Sequence, residues 1–337
     1  MSKILVVGAG FSGVTIARLL SESGYKVHVV EKRDHVAGNA FDYINEFGIR
    51  VHKYGPHLFH TSNEDVFSWL SNFCEWVPYR HKVKAQVSSG EFLTLPVNAE
   101  TKERVGVENV LDIFFRPYSE KMWGMSLEDL DPEIIRRVPI REDMNEEYFP
   151  NDAYQALPRE GYTSLIYEML KHPNISLTLS SDFSSHDPSN YDHIFNSMPI
   201  DEYFNYIHGP LPYRSIKFAH VNIPMVKVLP VVTVNFTHRS PFTRITEWRQ
   251  LPNQKAGFSS DFTTLTFEEP CDYINNNYER YYPVKDLAGV NKDIFRKYKE
   301  MTPGWMTFIG RCGTYSYLDM HQAISMAMKI TKNFLNR

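Results

Sequence analysis

The chain has 337 residues, a net charge of −4, 42% apolar residues and 23% charged residues. That length can bury a sizeable core and form two or three domains, and the slightly acidic balance excludes general affinity for nucleic acid or an anionic membrane surface. Three scattered thiols (Cys74, Cys271 and Cys312) exclude a disulfide framework and a Cys-rich metal site and point to a reducing, cytoplasmic setting.

The apolar N-terminus is broken at Gly8, Gly10 and Gly13, so it reads as a buried strand and not as a signal peptide. No stretch approaches the ~20 apolar residues of a membrane span. Ile4 to Val7 is an unbroken apolar run, which suits a strand covered on both faces. Gly8-Ala-Gly10-Phe11-Ser12-Gly13 follows, then helical spacing through Val14, Ala17 and Leu20, then a second strand over Val27 to Val30 that ends at Glu31. This strand–turn–helix–strand setting makes the glycine pattern a dinucleotide-binding fingerprint. The first glycine permits the turn, the second lets backbone approach a pyrophosphate, and the third lets helix pack on sheet. The helix N-terminus offers N–H groups to the phosphates, and Glu31 stands where a carboxylate accepts from a ribose hydroxyl. Lys32, Ala37, Gly38 and Asn39 come next. This run resembles the ExxxxxGG extension of FAD proteins of the glutathione-reductase and amine-oxidase type, with Ala37 at the first glycine position. The expected cofactor is FAD.

Further along, "HKYGPHLFHTSN" holds a His57-x-x-His60 pair with no glutamate between and no evident third ligand, so no metal is expected. Residues near 96–137 are helical in pattern and rich in aromatics, whereas "VVTVNFT", "TRITEWRQL" and "TTLTFEE" show the β-branched alternation of strands. "YDHIFNSMP" and "MTFIGRCGTYSYLDMHQAISMAMKITKNFL" read as strands of the nucleotide fold with a final helix from Met320. The expected fold class is therefore α/β: a Rossmann-like FAD-binding domain with a helical insertion and an antiparallel β-sheet domain. The discontinuous FAD domain is placed at 1–75, 175–212 and 300–337. The helical domain is placed at 96–140, with a mobile substrate loop near 134–145. The sheet domain takes 76–95, 146–174 and 213–299.

Seven stretches, in order, carry a more specific resemblance: "GPHLFHT", "YSEKMWG", "VPIR", "YFPNDAYQALPREGYTSL", "PFTRITEWR", "YYPV" and "GRCGTYSYLDM". Together they resemble the UDP-galactopyranose mutase family nearly end to end. The resemblance implies a homodimer that binds FAD, is active when the flavin is reduced, and takes a nucleotide sugar as substrate. It implies interconversion of UDP-galactopyranose and UDP-galactofuranose through attack of flavin N5 on the anomeric carbon, for cell-surface polysaccharide biosynthesis. Arg141 and Arg244 would hold the diphosphate, as planar guanidinium forks suit phosphate oxygens. Tyr282 and Tyr317 would add hydroxyl donors, Tyr154 would offer its face to uracil, and Tyr118 and Trp123 would sit near that base. Asp319 would lie beside sugar or flavin while capping the last helix, Arg311 would meet the flavin edge, Tyr317 and Met320 would border it, and His57 would bond near flavin or sugar.

The chain departs from the usual pattern at Ala37, Asn196-Ser197, Trp248 and Cys312. Relatives of this family act on N-acetylgalactosamine or on 6-deoxy sugars linked to UDP or dTDP, so those substrates stand as alternatives. An amine-oxidase-like flavin oxidoreductase and a non-catalytic nucleotide-sugar-binding protein also stay open.

Overall fold

A computed structural model describes residues 3–129, 140–255 and 260–336. Its centre is a five-stranded parallel sheet in the order β10-β2-β1-β11-β17, made of β1 (Lys3–Val7), β2 (Lys26–Val30), β10 (Ile175–Thr178), β11 (His193–Asn196) and β17 (Met306–Phe308). Ile4, Leu5, Val6, Val29 and Ile194 are fully buried, as strands covered by helices on both faces require. Helix α1 (Phe11–Glu22) turns Val14, Ala17 and Leu20 into that core. It packs against α9 (Met320–Leu335) and α5 (Gly161–Leu170). Because β1 has β2 on one side and β11 on the other, the chain leaves it at a switch point. The crevice above the carboxyl ends of such strands is where ligands bind.

The second layer is a seven-stranded sheet in the order β16-β12-β15-β14-β13-β7-β8. Its strands are β7 (Val83–Gln86), β8 (Phe92–Leu95), β12 (Tyr213–Ile223), β13 (Thr233–Phe236), β14 (Arg244–Glu247), β15 (Thr263–Asp272) and β16 (Tyr282–Pro283). The antiparallel expectation needs one correction: β13 pairs with β7 in parallel. The chain between those two strands makes a long excursion, and a parallel pair needs such a crossover where a tight hairpin cannot serve. Two small sheets complete the strands, β3 (Asp42–Ile44) with β4 (Arg50–His52), and β5 (Phe59–Thr61) with β9 (Tyr154–Pro158) and β6 (Trp76–Pro78).

The helical insertion contains α3 (Ala99–Val105), a wide π turn over Leu111–Phe115 and α4 (Arg116–Trp123). The remaining α-helices among the described residues are α2 (Glu64–Leu70), α6 (Ile200–Tyr203), α7 (Val290–Glu300) and α8 (Gly310–Gly313). Residues 134–139 of the expected mobile loop, with Val138 and Pro139 of "VPIR", lie outside the described residues. No helix among the described residues is long and apolar enough to cross a membrane.

Candidate functional site

The glycine-rich turn forms the first half of the site. Gly8 has φ +101, and a Cβ there would collide with Ser197. A Cβ on Gly13 would sit 2.0 Å from the Gly8 carbonyl oxygen, and one on Gly38 would sit 3.2 Å from Gly10 Cα. Gly10 and Gly38 therefore face each other as a bare backbone cradle at the N-terminus of α1, beside the buried Phe11 and Ser12. Glu31 is held there by two backbone N–H groups: Ala9 donates to its Oε2 at 2.8 Å and Arg33 to its Oε1 at 2.9 Å. Arg33 donates to Asn39 Oδ1 at 2.9 Å, which fixes Asn39 beside the cradle, whereas Lys32 is exposed. Ala37 adopts φ +71, the left-handed region that favours glycine, at an expected cost of about 1 kcal/mol. The bare cradle, the carboxylate and the free helix N-terminus fit a dinucleotide such as FAD.

The second half is a cleft of about 730 Å³ between α4, the seven-stranded sheet and the loops of the parallel-sheet layer. Nine of the residues expected at the site line it: His57, Tyr118, Trp123, Arg244, Tyr282, Arg311, Tyr317, Asp319 and Met320. Gly310, which precedes Arg311, stands against Ser12 and Ser197, so this cleft adjoins the glycine-rich turn.

Strand register explains the position of Arg244. Asn235 on β13, Arg244 on β14 and Glu268 on β15 are directly opposite one another in antiparallel pairs, so their side chains form a row on one face. Arg244 Nε donates to Asn235 Oδ1 at 3.2 Å, Nη2 donates to Tyr118 Oη at 3.1 Å, and Nη1 lies 3.7 Å from Glu268 Oε2. Burial opposes the charge on Arg244, but Glu268 and then Tyr118, Tyr282 and Tyr148 outweigh it and hold the guanidinium protonated. Burial pushes the Glu268 carboxyl upward, partly offset by Arg244. The result is a fixed cation aimed into an aromatic-lined cleft.

Tyr282 and Tyr317 stack with centroids 5.2 Å apart, and the Arg311 guanidinium lies 5.3 Å and 5.1 Å from their ring centres. Arg311 donates to the carbonyl oxygens of Tyr281 and Leu318, which fixes it at the cleft wall. Asp319 caps α9 through a reciprocal box with Gln322 and also borders the cleft. His57 pairs its Nδ1 with the Gly55 carbonyl at 2.9 Å, and its backbone N–H donates to His52 Nδ1 at 3.1 Å. Burial pushes the His57 ring down to about 3, so it is neutral near pH 7. A carbonyl partner puts the proton on Nδ1, and Nε2 is then an acceptor.

Two expected residues are elsewhere. Tyr154 lies in β9 with one face of its ring stacked on Phe67 at 4.4 Å, and it does not line the cleft. Arg141 is buried, but its guanidinium is spent on its own turn: it donates to Asp143 Oδ1 (3.1 Å and 3.0 Å), Glu147 O (2.7 Å) and Asn145 O (2.7 Å). That turn leads directly into Tyr148 and Phe149, which do line the cleft.

Sequence reasoning missed Phe114, Phe115, His81, Tyr148, Phe149, Asn235 and Glu268, all of which line the cleft. The run "FFRPYSEKMW" carried a signal for the first two, because aromatics just before an aromatic helix share its face. Nothing local signals Asn235 or Glu268, since their role comes from register between distant strands.

Residues 113–317 match the family described as UDP-galactopyranose mutase, and residues 6–73 match an NAD(P)-binding Rossmann-like domain. A probable UDP-galactopyranose mutase of Klebsiella pneumoniae is 32% identical over 372 residues, covering 99% of this chain and 94% of the relative. A dTDP-fucopyranose mutase of Escherichia coli is also 32% identical, over 383 residues and 99% of each chain. A crystal structure of reduced UDP-galactopyranose mutase superposes with a TM-score of 0.77 at 18% identity, covering 100% of this chain and 96% of the other. Putrescine oxidase shares the fold more loosely, at a TM-score of 0.57 and 12% identity over 100% of this chain and 99% of the other.

Proposed function

This chain belongs to the UDP-galactopyranose mutase family, and from that premise we propose that it is an FAD-dependent isomerase interconverting UDP-galactopyranose and UDP-galactofuranose. The observation that carries the reading is Arg244, a half-buried cation fixed by Asn235, Glu268 and Tyr118 within an aromatic cleft next to a dinucleotide cradle. A nucleoside diphosphate brings about two negative charges and a flat base, which suit that cation and those rings. Bound and reduced, FAD supplies a nucleophilic N5 for the anomeric carbon.

The chain does the positioning. Arg244 binds the diphosphate and keeps it in place after the glycosyl bond breaks, so it can return to the rearranged sugar. Tyr118, hydrogen-bonded to Arg244, ties α4 to that phosphate site. The stacked Tyr282 and Tyr317 close the wall between phosphates and sugar and exclude water from it. Arg311 places positive charge where a reduced, anionic ring would lie. His57, neutral, accepts a hydrogen bond at Nε2 without titrating near pH 7.

A second substrate reading has its own support: the dTDP-fucopyranose mutase relative is as similar in identity as the UDP-galactopyranose mutase one. A dTDP-linked 6-deoxy sugar would use the same diphosphate site. An amine-oxidase activity fits less well, because the guanidinium groups of Arg244 and Arg311 on the cleft wall suit a diphosphate and have no purpose for an amine. The test is anaerobic incubation of dithionite-reduced protein with UDP-galactofuranose, UDP-N-acetylgalactosamine and a dTDP-6-deoxy sugar, read by chromatography. Conversion of UDP-galactofuranose only under reduction supports the first reading, and conversion of the dTDP sugar instead supports the second. No conversion of any, or equal rates with oxidised flavin, overturns it.

A further inference from the structure

Helix α4 carries four cleft residues, Tyr118, Ser119, Met122 and Trp123, and it is fastened to the seven-stranded sheet by two cations that point in opposite directions. Lys121 Nζ leaves the helix and donates to three backbone carbonyls, Phe236 O at 2.7 Å, Phe242 O at 2.9 Å and His238 O at 3.1 Å. These carbonyls lie at the last residue of β13 and in the connection from it to β14, beside the paired residues Asn235 and Arg244. An ammonium has three N–H donors, so all of them are used on that one turn. Arg214 reaches the other way, from β12 to the helix: its Nε donates to Met122 O at 2.7 Å and its Nη2 to Lys121 O at 3.1 Å. It satisfies carbonyls that a helix C-terminus leaves without partners. Gly124 makes room for it, as a Cβ there would lie 2.9 Å from Arg214 Nη1.

Apolar contact alone would keep α4 on the sheet, through Met122, Trp123, Leu127 and Ile216. Such contact has little direction and tolerates a small slide or rotation. A hydrogen bond does not, and the one that matters, Tyr118 Oη to Arg244 Nη2, spans the same helix–sheet joint. We propose that Lys121, assisted by Arg214, is a positioning residue that sets the spacing between Tyr118 and Arg244 and thereby the affinity for the nucleoside diphosphate. Neither side chain touches substrate; each acts through backbone carbonyls. The proposal rests on the reading of the cleft as a nucleotide-sugar site. Burial of the ammonium, which lowers its pKa to about 8, agrees with a cation held on carbonyl groups away from bulk water.

The test uses the flavin-loaded full chain and compares wild type, Lys121→Met, Lys121→Arg and Arg214→Gln. UDP and dTDP affinity is measured by titration calorimetry, KM and kcat by turnover of UDP-galactofuranose, and integrity by flavin content and thermal midpoint. Lys121→Met is expected to keep its flavin yet bind UDP and hold KM about 10- to 100-fold worse, the range of one or two lost charge-assisted bonds. Its kcat should fall less than its KM rises, and Lys121→Arg should recover most of the loss. Arg214→Gln should show the same KM-weighted pattern, and it carries the test if Lys121→Met does not fold. A folded Lys121→Met with UDP affinity within about twofold of wild type overturns the positioning role, as does loss of fold in both variants. Wild-type protein that binds neither UDP nor dTDP overturns the functional reading first, and the proposal with it.

Discussion

Arg244 and Tyr118 meet at 3.1 Å across the joint between the sheet and the helical insertion, 126 residues apart in sequence. The bond makes the cleft a composite of two elements distant in sequence, so each residue can be tested against the other. Arg244→Ala should leave the flavin bound but lower kcat/KM about 100-fold or more, since it removes the proposed charge-assisted phosphate contact and leaves Glu268 buried without its cation. Tyr118→Phe should cost about tenfold, because it loses one hydroxyl and keeps the ring. Steady-state rates at saturating reductant decide this; a smaller loss for Arg244→Ala than for Tyr118→Phe would remove Arg244 from the phosphate site.

Arg141 should behave differently. Its donors are committed to residues 143–147, and that turn sets up Tyr148 and Phe149 at the cleft. Arg141→Ala should therefore lower the thermal midpoint by several degrees, as about 1–3 kcal/mol of buried hydrogen bonding is lost. UDP affinity should change less, because the guanidinium is committed to its own turn. Scanning calorimetry beside UDP titration separates the two effects. Unchanged stability with lost UDP binding would show that the guanidinium turns to the phosphates instead.

The opening 39 residues were legible because their function is local. A turn needs glycine where a Cβ would strike backbone, and the pattern reports each such position within a few residues. Even its departure makes sense: Ala37 takes the left-handed conformation that explains why glycine is usual there. Nine residues named by resemblance line one cleft. Tyr154 and Arg141 do not line it, because a motif identifies the residue type but packing decides its partner. Asn235 and Glu268 were illegible for another reason: both sit in alternating strands, and only the register of β13, β14 and β15 makes them neighbours of Arg244.

The cradle itself supplies a sharper test than loss of activity. A methyl group on Gly13 would press on the Gly8 carbonyl at 2.0 Å and on Val6 Cγ1 at 3.0 Å, so helix and turn must separate. Gly13→Ala should purify without flavin, and reconstitution with FAD should fail. Gly304→Ala is the control, because a Cβ there meets nothing within 4 Å, and it should stay yellow. The flavin absorbance of each protein, per chain, is the measurement. A yellow Gly13→Ala protein would mean that the cofactor is not seated on this turn.

Two buried histidines predict how stability varies with pH. His52 and His81 are both pushed down to about 3, His52 by burial and then by Arg50, His81 by burial and then by Arg244 and His60. In the unfolded chain each returns to about 6.5. Between those values the unfolded state binds a proton that the folded state refuses, so stability is fully present above about pH 6.5 and falls as pH drops toward 3. Each group contributes a slope of about 1.4 kcal/mol per pH unit well inside that window. The window from pH 6 to 4.5 is cleanest, because ordinary carboxylates remain largely ionised there. Urea unfolding across that range should show a steep loss of stability on acidification, and His81→Asn should remove one group's share of the slope whatever it does to the absolute value. An unaltered slope in the variant would mean that His81 already carries its proton in the folded protein, beside Arg244, and that the cleft is less dry than its burial implies.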